Sequence, residues 1–200
     1  MEKLDLAKMD KTYYTAPDQP QLVDFDPISY VTIGGKGDPN GQAFANATEA
    51  LYTLAYSVKG ISKKEEQDFT VAKLEGLWWV EGERDAMKVP RDEWNWKLMI
   101  RLPSFVTSEQ VQAAQEIALK KKKGLEELKW IQYEAIHEGR CVQMMHIGPY
   151  STEKLTVQRI QTFMEEKGLS PNGKHHEIYL SDPRKVDPAK MKTILRYPVK

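Results

Sequence analysis

The run His175-His176-Glu177-Ile178-Tyr179-Leu180-Ser181 gathers the side chains of this sequence best suited to moving a proton. It reads as a strand, and the two-residue period of a strand puts His175, Glu177 and Tyr179 on one face and Ile178 and Leu180 on the other. A carboxylate on a pleated face needs water, a cation or a hydrogen-bond donor to meet it. The face is therefore either plain surface or a site where Glu177 works as a base or as a counter-charge.

Other chemistries find less support. Gly34-Gly35-Lys36-Gly37 imitates a phosphate loop but lacks the Gly-Lys-Ser/Thr ending, and no third glycine falls at the dinucleotide-binding spacing, so it is read as a turn. His146, His175 and Glu177 include no helix-spaced histidine pair, and no metal or other cofactor is expected. Ser151 and Ser181 have no nucleophile context. Cys141 is the single cysteine, which excludes an intrachain disulfide, suits a reducing compartment and reads as a buried structural thiol. His146, beside Gly148-Pro149, is expected to hydrogen-bond locally.

The elements that must position Glu177 form two similar series. Ile28–Ile33 reads as a strand, followed by a glycine-rich loop over 34–41 and a helix with Phe44, Ala47, Leu51, Leu54 and Val58 on one stripe, closed by Gly60. Phe69–Val80 and Trp94–Leu102 are two further strands. The second half repeats the order: a strand over Arg140–Ile147, a helix capped by Ser151 with Val157, Ile160 and Met164 inward and Gly168 at its end, then strands over His175–Leu180 and Met191–Tyr197. Val31-Thr-Ile-Gly34 matches Met145-His-Ile-Gly148, and Met99-Ile-Arg-Leu-Pro103 matches Ile194-Leu-Arg-Tyr-Pro198, in the same order. Between the halves, Thr107-Ser-Glu-Gln110 is a capping box opening a helix that Gly124 stops, with Lys120–Lys123 in its last turn. Lys129–Ile136 reads as a strand that makes a hairpin with the next through Glu138-Gly139. Residues 1–24 show no period and read as an N-terminal arm packed on the body.

Composition sets the outer limits. The 200 residues carry 29 basic and 29 acidic side chains, so no charge excess points to nucleic acid or an anionic membrane. No stretch is apolar for the length of a membrane span and no signal-peptide core follows Met1, so a soluble, cytoplasmic protein is expected. The chain is rich in aromatics, with five Trp and nine Tyr.

Two strand-helix-strand-strand repeats imply an α+β fold: a pseudo-twofold pair, an antiparallel sheet with helices on one face, and a ligand groove on the other. The expected division is an arm over 1–24 and one domain over 25–200, made of repeat one (25–106), the connecting helix (107–124) and repeat two (129–200). Trp96, Trp78, Tyr52, Tyr56, Tyr133 and His175 are the candidates to line the groove around Glu177. A carboxylate walled by aromatics suits a planar, apolar or cationic ligand, whereas each aromatic taken singly reads first as a core residue, and only the set with Glu177 points to a pocket.

His146-Ile-Gly-Pro-Tyr150, His176-Glu-Ile-Tyr-Leu-Ser-Asp-Pro183 and Lys192-Thr-Ile-Leu-Arg-Tyr-Pro198 resemble the GyrI-like small-molecule-binding proteins. Gly76-Leu-Trp-Trp79 and Trp94-Asn-Trp96 resemble a stand-alone bacterial branch of that family. The resemblance implies the duplicated fold above and a groove for lipophilic, often cationic or aromatic compounds, with an acid at the position of Glu177. Some members are sensing domains fused to helix-turn-helix regulators, for which this chain leaves no length. Some stand-alone members hydrolyse cyclopropane-bearing toxins, a reaction that would make Glu177 the base for the attacking water and Tyr179 the donor to the oxygen on which negative charge develops. Others bind without catalysis, so xenobiotic hydrolase and sequestering module are both implied. Haem-binding proteins of the SOUL type share a similar fold, which adds a haem carrier as a third reading. A small-molecule partner is expected, with no nucleic acid and no membrane.

Overall fold

A computed structural model describes residues 3–82 and 88–200. Residues 1–2 of the expected arm and 83–87 of the expected first repeat lie outside the described residues. Eight strands and five α-helices fall into two compact units, one made of residues up to 9 with 28–136, the other of 10–27 with 137–200. The chain is α+β, and each unit contains one strand-helix-strand-strand repeat.

In the first unit, β2 (Ile28–Lys36), α3 (Gln42–Lys64), β3 (Leu74–Trp79) and β4 (Asn95–Arg101) follow in that order, then α4 (Ser108–Lys121) and β5 (Gln132–Ile136). The strands lie in the order β3-β4-β2-β5, all antiparallel. The stripe Ala47, Leu51, Leu54 and Val58 faces the sheet and is fully buried with Val31, Ile33, Leu98 and Ile100. Ala114 and Ala118 of α4 join the same core. The Thr107 side chain accepts from the Gln110 amide while the Gln110 side chain accepts from the Thr107 amide, the expected capping box.

Several boundaries differ from the sequence reading. The strand expected to stop at Ile33 continues through Gly34 and Gly35 to Lys36, because Gly35 pairs with Trp96 of β4. A Cβ on Gly35 would lie 2.1 Å from the Trp96 ring, so the missing side chain makes room for the indole. Gly60 does not end α3; the helix runs on to Lys64. The strand expected from Phe69 begins only at Leu74.

In the second unit, β1 (Gln21–Phe25), β6 (Gly139–Ile147), α5 (Glu153–Glu166), β7 (His175–Tyr179) and β8 (Lys192–Pro198) form the order β1-β6-β8-β7, again antiparallel. Val142, Met144 and Leu195 of the sheet pack with Ile160 and Met164 of α5. Ser151 sits in a 3-10 turn over Tyr150–Thr152 rather than capping α5, and it is Thr152 whose hydroxyl donates to the Pro149 carbonyl at 2.8 Å.

The expected hairpin between Lys129–Ile136 and the next strand does not form: β5 pairs with β2, and β6 pairs with β1 and β8. Gly139 does supply the positive φ, +64°, on which the expectation rests, so turn chemistry is present and it is the pairing of each strand with others that excludes the hairpin. β1 behaves likewise: it precedes β2 through Asp26-Pro27, yet pairs with β6.

The expected arm carries two short helices, α1 (Leu6–Met9) and α2 (Lys11–Tyr14), as well as β1. Its part from Asp10 onward is held to a buried ionic cluster of the second unit. The Arg196 guanidinium, fully buried, donates to the Tyr13 carbonyl at 2.9 Å, to Gln143 Oε1 at 2.9 and 3.1 Å, and to Glu138 Oε2 at 3.4 Å. Its carbon lies 4.2 Å from the Tyr13 ring centroid and 4.1 Å from that of Phe25. Gln143 Nε2 donates to the Thr12 and Thr15 carbonyls, and the Met145 amide to the Pro17 carbonyl.

Candidate functional site

Strand β7 is half-buried, buried, half-buried, buried, half-buried along its five residues. His176 and Ile178 are fully buried, and His175, Glu177 and Tyr179 share the other face. The alternation therefore holds and brings the three candidates on this strand together. Glu177, however, pairs with Leu195 of β8, which packs on α5, so they lie on the helix-bearing face of the sheet and not on the opposite face expected for the groove. His175 Nε2 lies 2.9 Å from Glu177 Oε1, with the two side chains 14% and 12% exposed. That shielding removes much of the water that would screen the pair while leaving the carboxylate reachable from solvent. His175 Nδ1 is buried and makes no hydrogen bond to the protein.

Aromatic rings flank this pair. The Tyr197 ring of β8 lies 4.7 Å from the imidazole of His175, tilted by 40°. Tyr150 meets Tyr179 edge-on at 5.8 Å. Burial is the main force raising the pKa of Tyr197, and the charges of Glu177 and Glu153 add to it. Tyr150 is pushed up to about 12, by burial first and then by Glu153, Glu177 and Asp182. Both phenols stay protonated at neutral pH and remain donors. The sum is one carboxylate, one imidazole and three phenols on adjacent strands and the turn before α5. Such a set can abstract a proton, hold an oxyanion, or enclose a cation between rings and a negative charge.

Tyr150, Tyr197 and Glu153 did not stand out as site residues from sequence. Tyr150 and Tyr197 lie inside the segments that carry the family resemblance, but nothing in a strand's period tells which strand lies beside β7. Pairing of β7 with β8 supplies that information.

The remaining candidates lie in the first unit. Trp78 and Trp96 are cross-strand partners, 7% and 2% exposed, and Phe44 stacks on the first at 5.8 Å and meets the second edge-on at 5.4 Å. Tyr52 and Tyr133 pack at the margin of the same core, and the Tyr133 hydroxyl donates to Ser29 Oγ at 3.0 Å. Tyr56 stands apart, 60% exposed on α3.

His146 is buried in a local network as expected: Nε2 faces the Pro149 carbonyl at 3.2 Å, so Nδ1 accepts from the Thr156 hydroxyl at 2.9 Å. Cys141 is buried and its thiol is pushed up to about 12, by burial first, with Glu138 and Asp24 adding. It is not a nucleophile at neutral pH. Among the described residues, no group of three or more His, Cys, Asp or Glu could hold a metal ion, and no helix is long and apolar enough to cross a membrane.

Comparison with known proteins places this geometry. An uncharacterized conserved protein from Listeria innocua is 42% identical over 99% of this chain and 100% of its own, with a TM-score of 0.92. A protein from the same organism described as a hydrolase is 41% identical, with full coverage of both chains and a TM-score of 0.89. The C-terminal domain of EcmrR is similar in fold alone, at 12% identity over 91% of this chain and 97% of its own, with a TM-score of 0.61. No curated protein sequence matches the chain significantly. The GyrI-like small molecule binding domain matches residues 18–200, and the chain belongs to that family.

Proposed function

We propose that this protein is a hydrolase that binds lipophilic aromatic or cationic small molecules against the face of β7 that carries Glu177, and opens electrophilic, cyclopropane-bearing compounds. The observation that carries the reading is the shielded pair of His175 and Glu177, 2.9 Å apart, with Tyr179 on the same face and the rings of Tyr150 and Tyr197 beside them. The hydrolase from Listeria innocua, similar over the whole chain, supports hydrolytic chemistry.

In the proposed reaction, Glu177 takes a proton from a water whose oxygen attacks a ring carbon of a cyclopropane conjugated to a carbonyl. The strained carbon–carbon bond breaks, its electron pair moves into the conjugated system, and the carbonyl oxygen becomes an enolate oxygen. Tyr179 donates a hydrogen bond to that oxygen as its charge develops. The proton taken up by Glu177 is then delivered to the enolate carbon, which gives the ring-opened hydrate and restores the carboxylate. His175 holds the carboxylate in place, and Tyr150 and Tyr197 supply the flat walls. Release of ring strain supplies driving force, so a single positioned base suffices.

The ring of phenols around a carboxylate equally suits a non-catalytic module, with Glu177 as counter-charge to a bound cation. Product analysis separates the two. Incubation with an activated cyclopropyl ketone should yield the hydrate by mass spectrometry, and Glu177→Gln should reduce turnover at least a hundredfold while the compound still binds. Turnover unchanged by Glu177→Gln would reject the base role. Binding without any hydrate would leave the sequestering module.

A further inference from the structure

A cleft of about 380 Å³ lies in the first unit, between residues of α3 and α4. Its lining includes Tyr56, Gly60, Ile61 and Lys64 of α3, with Ile117 and Lys121 of α4. The α3 residues recur at three- and four-residue steps, so they form one helix face, and from Thr53 to Lys64 that face runs ~16 Å.

Three observations need a common explanation. Tyr56 is 60% and Ile117 37% exposed, which leaves apolar surface bare on the walls of one cleft. Gly60 lies in the interior of a 23-residue helix, where glycine costs about 1 kcal/mol relative to alanine. Its φ is not positive and a Cβ there would meet nothing within 4 Å, so neither the backbone nor the packing requires it. What the glycine does is leave the floor of the cleft open. The third observation is charge: Lys64, Lys121 and Lys122 are all on the lining, and only Lys122 has an ion-pair partner among the described residues, Glu49 at 3.1 Å. Lysines in a last turn suit the helix dipole, but the dipole accounts for neither the bare tyrosine and isoleucine nor the glycine beneath them.

We propose that this cleft binds a single-chain amphiphilic anion, its hydrocarbon chain lying over Gly60 between Tyr56, Ile61 and Ile117 and its carboxylate or sulfate paired with Lys64 or Lys121. The volume falls within the ~300–1,000 Å³ of small-molecule sites, which favours one chain over a protein partner. The site is separate from the β7 face and selects the opposite charge.

Laurate, titrated into the full chain by calorimetry, is the probe, with dodecyltrimethylammonium as its cationic counterpart. Gly60→Leu fills open space with a better helix former, so it should hold or raise the melting temperature while weakening laurate at least tenfold. Lys64→Glu with Lys121→Glu, on exposed positions, should weaken laurate to a similar degree. Laurate should still bind the Glu177→Gln protein, which keeps this site distinguishable from the β7 face. No laurate binding, or binding that survives both Gly60→Leu and the lysine reversals, overturns the proposal. Co-sedimentation with phosphatidylglycerol vesicles that needs the lysines but ignores Gly60→Leu would assign the patch to a membrane surface and overturn it too.

Discussion

Arg196 shows how much of this protein's order depends on a single charge. Its guanidinium is wholly buried, so the energy of its placement rests on Gln143, Glu138, the Tyr13 carbonyl and two aromatic faces. Burial alone would raise the Glu138 carboxyl, but the attraction and hydrogen bond of His176, with Arg196 behind them, hold it below its ordinary 4.5. A carboxylate depressed on folding contributes stability above its unfolded pKa and loses it as pH falls through the folded value. Glu138→Gln should therefore destabilise the protein by about 3–5 kcal/mol at neutral pH, because it leaves a buried charge uncompensated. It should also flatten the dependence of the urea midpoint on pH below 4.5. An unchanged midpoint would show the cluster to be energetically neutral. Tyr150 works in the other direction. Its folded pKa lies near 12, above the ordinary 10.0, so its contribution is intact below pH 10 and is lost as pH rises through about 12. Tyr150→Phe should remove one late-titrating phenol from the tyrosinate absorbance curve.

At the scale of elements, the packed helix stripes were the most legible part of the sequence. Ala47, Leu51, Leu54 and Val58 announce a buried face through their spacing, and they are buried. The alternation along β7 was equally plain, since Ile178 and Glu177 cannot share a face. Strand ends were less legible because glycine is ambiguous. Gly34-Gly35 looks like a turn from composition, yet Gly35 lies inside β2 to admit the ring of its cross-strand partner, Trp96. No local rule reports a ring arriving from 61 residues away. Gly35→Ala tests this directly. With a Cβ 2.1 Å from the ring, the indole must leave its packing against Phe44, and a loss of about 1–3 kcal/mol is expected in chemical denaturation, with a shift in tryptophan emission. Alanine tolerated with unchanged emission would mean that the ring can relax in place. Thr107→Ala should cost about 1 kcal/mol by the same measurement, since the Thr107 side chain accepts from the Gln110 amide at the start of α4.

The whole molecule is organised by chain crossings that sequence neighbours conceal. Strands β1 and β5 each stand one short connection before a repeat, and each pairs with the other repeat's first strand. Local signals favour hairpins between sequence neighbours, and Gly139, at φ +64°, strengthened that signal before β6, so the exchange was illegible until the pairing was seen. The same exchange changes the standing of the N-terminal segment. Residues 10–27 are part of the second unit's body: β1 edges its sheet, Tyr13 covers Arg196, and Pro17 satisfies the amide of Met145. Residues 3–9, by contrast, belong to the first unit, where Leu4 bridges Phe69 and packs on the core, and Leu6 is buried. Two truncations separate these roles. Removal of residues 1–9 gives up the Leu4 bridge with its two backbone hydrogen bonds, the half-buried Leu4 and the buried Leu6. It should lower stability by about 2–5 kcal/mol, on the scale of burying two such side chains, one of them only in part. Removal of residues 1–20 also strips the Tyr13 carbonyl and ring from a guanidinium that is 0% exposed, and takes from Gln143 the carbonyls of Thr12 and Thr15. The cost should exceed that of the shorter truncation by at least ~3 kcal/mol, because buried donors lose their acceptors. Far-ultraviolet circular dichroism in a urea series measures both. Equal midpoints for the two truncated proteins would mean that Arg196 finds other partners once Tyr13 is gone. A large further loss, reversed when Arg196→Met is added to the longer truncation, would identify the uncovered charge as its cause.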